Sequence, residues 1–191
     1  MPSPNQLSAR QRLLEAASRL FYAGGVAGTG IDAITTEAGV AKKSLYNNFA
    51  SKDELVLAYI EARHEQWLEL YRIRRAQALN PSDEVLAVFD AYVDHASASY
   101  EHGFRGCGLL NAAAELPVDS PGREAVRRHK EHVEQIIAEH LQKSYPAPEA
   151  LKLAEHLAFL LEGAISRAGL EGEPDRLLHA RQIANNLLGN S

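Results

Sequence analysis

The sequence predicts an all-α protein of about nine helices, and three observations carry that expectation. Apolar residues recur at three- and four-residue spacing along the 191 positions. Capping residues and prolines stand where helices would begin, and glycines where they would end. No segment shows the two-residue alternation of a half-buried strand. A hydrophobic content of 46% is ample for the core of one domain or of two small ones.

Taken in order, Ser8 and Gln11 form a capping box for a first helix whose stripe is Leu13, Leu14, Ala17, Leu20 and Phe21, ended by Gly24 and Gly25. Thr29, with Asp32 three residues on, reads as the cap of a second helix that turns Ile31, Ile34 and Ala38 to one side and stops at Gly39. The third restarts at once. In it Leu45 and Phe49 point inward with Val40, while Lys42, Lys43, Tyr46 and Asn47 share the opposite face. Ser51 and Glu54 open a fourth helix that meets no breaker until Asn80-Pro81, a rod on the order of 40 Å at 1.5 Å per residue. Val85, Leu86, Phe89, Val93 and Ala96 mark a fifth, ending near Gly103, and a short sixth runs from Leu109 to Leu116. Ser120-Pro121 starts a seventh through Val126, Val133, Ile136, Ile137 and Leu141 up to Pro146. Pro148 with Gly169, then Pro174 with Gly189, bound the last two.

Helices two and three, joined by a tight turn, have the chemistry of a DNA reader. Two cations, a phenol and an amide face outward on a short braced helix, where Lys and Asn can meet base edges in a major groove and hydroxyls can meet phosphates. Charge supports this: residues 1–52 carry a net +3 and residues 53–191 a net −8. A basic head on an acidic body approaches a polyanion one end first.

From Arg10 to Leu57 the chain resembles the TetR family of transcriptional regulators. The matching parts are LLEAASRLF followed by Gly25, then Thr29, Ile31, Ile34, AGV at 38–40, SLYNNF at 44–49 and KDEL at 52–55. The family often has a small polar residue at position 41 and Gly, Pro or Ala at 43, where this chain has Ala41 and Lys43. Position 30 is Gly rather than Thr or Ser, and position 32 is acidic. Those departures bear on the operator sequence. The outward face and the resemblance together place Lys42 and Lys43 against base edges or phosphates and Ser44, Tyr46, Asn48 and Lys52 mainly on phosphates. Asn47 can do either, and Thr29 is counted among the DNA contacts. The resemblance implies a head over residues 1–52, a ligand-sensing and dimerisation body over 53–191, and repression by occupancy of a double-stranded operator.

The helix from about Pro148 to Ala168 is apolar on more sides than one core can absorb, and the last helix offers a similar surface. Two such helices from each of two subunits close a four-helix bundle, the alternative being a central core helix covered wholly within one chain. The seam residues are Leu153, Leu157, Leu160, Leu161, Ala164, Leu178, Ile183 and Leu187. The segment RGCGLLNAAAEL at 105–116 looks like a stretch found in many TetR members, whose body holds a small-molecule effector. Trp67, Phe89, Tyr92, Phe104, Leu109, Leu110 and Phe159 are candidates to line its cavity, with His95, Asn111, Glu115 or His129 as polar handles. Ordinary packing is the alternative for each.

Eight histidines, among them His129 and His132 at i, i+3 and His95 and His102 two turns apart, do not complete a recognisable metal-ligand pattern, so no metal or other cofactor is expected. The single cysteine, Cys107, fits a reducing cytosol and a small buried position. No apolar run suggests a signal peptide or a membrane span, and a cytoplasmic protein is expected. A helical enzyme using His and Glu of the body, and a dimeric interaction protein without operator binding, are the alternatives. The first lacks any nucleophile elbow, P-loop or dinucleotide fingerprint.

Overall fold

In the computed structural model, which describes residues 7–98 and 103–189, the described residues form nine helices and no strand. These are α1 (Ala9–Gly24), α2 (Ile31–Ala38), α3 (Lys42–Asn48), α4 (Lys52–Arg75), α5 (Pro81–Ser97), α6 (Gly108–Glu115), α7 (Pro121–Leu141), α8 (Ala147–Glu171) and α9 (Asp175–Leu187). Local signals account for most of the limits. Ser8 and Gln11 make their reciprocal capping box, and Ser51 Oγ accepts from the Glu54 N–H at 3.1 Å ahead of α4. The Asn80 side chain accepts from the Asp83 N–H at 2.9 Å, with Pro81 as the first residue of α5. Gly39 ends α2 in the left-handed region at φ 61°, which a residue without Cβ adopts at little cost.

Two helices stop earlier than the sequence suggests. The α4 rod ends at Arg75, and its 24 residues span about 36 Å. Beyond it, Gln77 and Ala78 N–H groups bond to carbonyls three residues back, a tightening that closes the helix. Helix α5 ends at Ser97; residues 99–102, and His102 with them, lie outside the described residues.

One cap is corrected. Gly30, not Thr29, is the N-cap residue of α2, and no side chain caps that helix. Thr29 is buried, and its hydroxyl donates to the carbonyls of Gly25 at 2.6 Å and Leu20 at 3.3 Å. The end of α1 leaves carbonyls without helical partners, and a buried hydroxyl has to donate to something close by.

The chain forms two compact units. The first comprises the described residues up to Arg63 together with Gly108–Val126. Here α1 packs on α2, α3 and α6, and Leu13, Phe21, Ile34, Leu45, Phe49, Leu55 and Tyr59 are buried. Phe21 and Tyr59 meet edge to face with ring centroids 5.5 Å apart. The second unit comprises the described residues of His64–Cys107 and those from Arg127 onward. In it α5 packs against α8 and α9, and Val85 through Phe89 are all buried, so α5 is its central helix. Arg181 and Asp90 tie α9 to α5 through a two-pronged ion pair at 2.6 and 3.1 Å.

Helix α8 presents two different faces. Ala150, Ala154, Leu157, Leu161, Ile165 and Ala168 recur at three- and four-residue spacing and are buried within the chain. Phe159, on another side of the helix, is 64% exposed. Leu157 and Leu161, expected in a seam between subunits, are therefore core residues of their own chain. Leu153 and Leu160 are half-buried, Leu178, Ile183 and Leu187 are exposed, and Ala164 lines a groove between α8 and α9.

Candidate nucleic-acid interface

The reader is held from behind and open in front. Leu45 and Phe49 are buried beneath α3, and the Arg10 guanidinium lies 4.8 Å from the Phe49 ring centroid. Arg19 and Glu37 bridge α1 to α2 at 2.7 Å. Lys42, Lys43, Tyr46 and Asn47 are exposed together on one face of α3, while Ser44, Asn48 and Lys52 are half-buried at its margins. The Asn48 amide donates to the Ser44 carbonyl at 2.7 Å, which fixes its direction. Thr29 departs from the expected set, because its inward hydroxyl holds the loop that starts α2.

Sequence reasoning missed a neighbour of the reader. Asp32 Oδ1 lies 2.8 Å from Lys42 Nζ, and this hydrogen bond holds the Lys42 ammonium above its ordinary pKa. The signal was present but was assigned to helix capping: an acid on the first turn of α2, ten positions before a lysine on the first turn of α3.

The residues expected around an effector fall in both compact units. Trp67, Phe89, Tyr92, His95, Phe104 and His129 belong to the second unit, whereas Leu109, Leu110, Asn111 and Glu115 belong to the first. Phe159 is on the exposed side of α8, and the Glu115 carboxylate accepts from the backbone N–H groups of Val26 and Ala27. Trp67 stacks on Tyr71 at 5.6 Å and meets Tyr92 at 5.6 Å and His129 at 5.5 Å. His129 lies 3.5 Å from Tyr92 Oη through Nε2 and 2.8 Å from His64 Nδ1 through its own Nδ1. Burial pushes His129 down to about 2, leaving it neutral, and pushes the Tyr92 phenol up, leaving it a donor. Lys130 Nζ pairs with Glu162 Oε1 at 2.7 Å and lies 3.6 Å from the buried Cys107 Sγ. Trp67 Nε1 is buried with no hydrogen-bond partner among the described residues. Among those residues no group of three or more His, Cys, Asp or Glu is arranged to hold a metal ion.

Nine helices and no strand among the described residues, with a short braced helix presenting cations and amides, define an all-helical helix-turn-helix DNA-binding protein. Residues 13–59 match the bacterial regulatory proteins of the tetR family. The chain is 30% identical over 171 residues to the HTH-type transcriptional regulator TtgR of Pseudomonas putida, which covers 87% of this chain and 70% of that one. It is 28% identical over 184 residues to the HTH-type transcriptional regulator LmrA of Bacillus subtilis, covering 94% and 96% of the two chains. The crystal structure of a TetR-family transcriptional regulator from Streptomyces coelicolor is similar with a TM-score of 0.82 and 32% identity, over 92% of this chain and 93% of that one. The chain belongs to the TetR family of transcriptional regulators. Its relatives are regulators of transcription, and it is a DNA-binding regulator rather than an enzyme. Among the described residues no helix is long and apolar enough to cross a membrane.

Proposed function

We propose that this regulator is a cytoplasmic, ligand-released repressor that works as a homodimer on an inverted-repeat operator. Residues 1–52 read DNA, and residues 53–191 sense the effector and dimerise. The observation that carries the dimer is the outer face of α8 and α9, where Phe159 is 64%, Leu187 54% and Ile183 37% exposed. Phe159, Leu160, Gly163, Ala180 and Ile183 line a groove there, together with Arg167, Arg176 and His179. Apolar side chains gathered on one face of two helices lose water only against another surface, and the same face of a second copy is self-complementary about a two-fold axis. A two-fold dimer presents two identical α3 helices, which fit half-sites about one helical turn, roughly 34–36 Å, apart.

For DNA contact we assign Lys42, Lys43 and Asn47 to base edges or phosphates, and Ser44, Tyr46, Asn48 and Lys52 to phosphates. For the effector, the support is the cluster of Trp67, Tyr92 and His129, in the unit that also carries Phe89, His95 and Phe104. A buried indole N–H without an acceptor costs about 1–3 kcal/mol, and an acceptor atom on a bound molecule relieves that cost. Selection of bound sites from a genomic fragment library, followed by gel retardation with competitor DNA, tests the whole reading. Recovery of an inverted repeat bound by two chains supports it, and binding without sequence preference overturns it.

A further inference from the structure

We infer that Glu115, the last residue of α6, positions the DNA reader by gripping the loop between α1 and α2. Its carboxylate oxygens accept from two consecutive backbone N–H groups, Val26 at 3.2 Å and Ala27 at 2.6 Å, across 89 and 88 residues of sequence. Adjacent amides converging on one anion form a small binding concavity, and hydrogen bonds to an ionised acceptor are the stronger kind. The loop is shaped to admit the carboxylate. Gly25 sits at φ 85°, and a Cβ at that position would fall 2.6 Å from a Glu115 oxygen.

Helix α6 packs closely at its other end as well. At Gly108, its first residue, a Cβ would meet Tyr22 Cδ2 and Tyr59 Oη, each at 2.9 Å. The helix therefore lies against α1, hydrogen-bonded at its last residue and closely packed at its first, within the unit that carries the reader. The gripped loop runs directly into α2, and Thr29 pins the same loop from within through its bond to the Gly25 carbonyl. Where the loop is held decides where α2 starts, and hence the direction in which α3 presents Lys42, Lys43, Tyr46 and Asn47. Cys107, the residue before α6, belongs to the other unit, so the chain enters the reader's unit ahead of α6 as well as through α4 and α7. The inference rests on α2 and α3 binding a specific duplex.

The test uses the full chain carrying Glu115→Ala, Glu115→Asp or Glu115→Gln. Its probes are the duplex recovered by genomic selection and a random-sequence duplex of the same length. Asp keeps the charge but is one methylene short, so it separates grip from charge; Gln keeps one acceptor oxygen. The Ala and Asp variants are expected to weaken the selected duplex at least about tenfold, to leave the random duplex within about twofold, and to melt close to the wild type, with Gln in between. Faster amide exchange at Val26 and Ala27 in the Asp variant is the second readout, and it stands even where the Ala variant fails to fold. Equal losses on both duplexes, an unchanged specific affinity, or unchanged exchange at both amides overturns the inference. Wild-type protein that prefers no duplex overturns the operator reading and this inference with it.

Discussion

Lys42 Nζ, the first cation of the reading face, is paired at 2.8 Å with Asp32 Oδ1 on the preceding helix. Both side chains are more than half exposed, so the pair adds little to stability, but it withdraws one positive charge from the set that can neutralise phosphates. Asp32→Asn is expected to tighten binding to random-sequence duplex and to steepen the slope of log affinity against log salt by about one. Folding stability is expected to stay unchanged, since both side chains are exposed. A salt titration decides the matter: an unchanged slope shows that Lys42 reaches the backbone despite its partner.

Lys52 and Lys42 are expected to fail in different ways. Lys52 begins α4 at the edge of the reading face, so Lys52→Ala weakens all sequences alike and lowers the salt slope by about one. Lys42→Ala relaxes preference at one base pair by roughly 1–3 kcal/mol. Affinities for a set of single-base operator variants separate the two roles, and a changed preferred sequence in the Lys52 variant refutes this assignment.

The two faces of α8 give opposite expectations for the same substitution. Phe159→Glu with Ile183→Glu places charge on the exposed groove and is expected to give folded monomers with weak operator binding. Leu157→Glu puts a carboxylate where the side chain is 0% exposed, costing several kcal/mol and unfolding the chain. Sedimentation and thermal melting, run on both variants, provide the check. An intact dimer in the groove variant would locate the seam elsewhere.

Element limits were legible in the sequence because caps and breakers act within four residues: Ser8 with Gln11, Asn80 with Pro81 and Ser120 with Pro121 each mark a boundary by chemistry that needs no distant partner. The outward set on α3 was legible for the same reason, since seven residues of helix have only one side left once Leu45 is buried. On α8 the apolar content was evident but its division was not. The 3.6-residue period separates the Leu157 and Leu161 stripe from Phe159, yet only the packing of α5 and α9 decides which stripe the chain covers itself. Glu115 was illegible as a loop anchor because its partners lie 88 and 89 residues away and are backbone groups without side-chain identity. Thr29 misled because a hydroxyl can either accept at a helix start or donate to the end of the helix before.

Acid sensitivity is the last expectation, and it follows from His129. Burial holds this imidazole down to about 2 in the folded chain, against an ordinary value of 6.5 once unfolded. Between those limits the unfolded chain carries one more proton at this site. Stability is therefore fully present above 6.5 and is lost as pH falls below it, by up to about 1.4 kcal/mol per pH unit. His64 and His140, both lowered chiefly by burial, act in the same direction. From pH 7.5 to pH 5 the loss from His129 alone amounts to about 2 kcal/mol. His129→Gln removes the titrating group while keeping an amide beside Tyr92 and His64, so it lowers stability at pH 7.5 but flattens the acid slope by about one proton. Urea unfolding at a series of pH values measures that slope directly, and equal slopes for the two proteins would show that His129 gains its proton in the folded chain as readily as in the unfolded one.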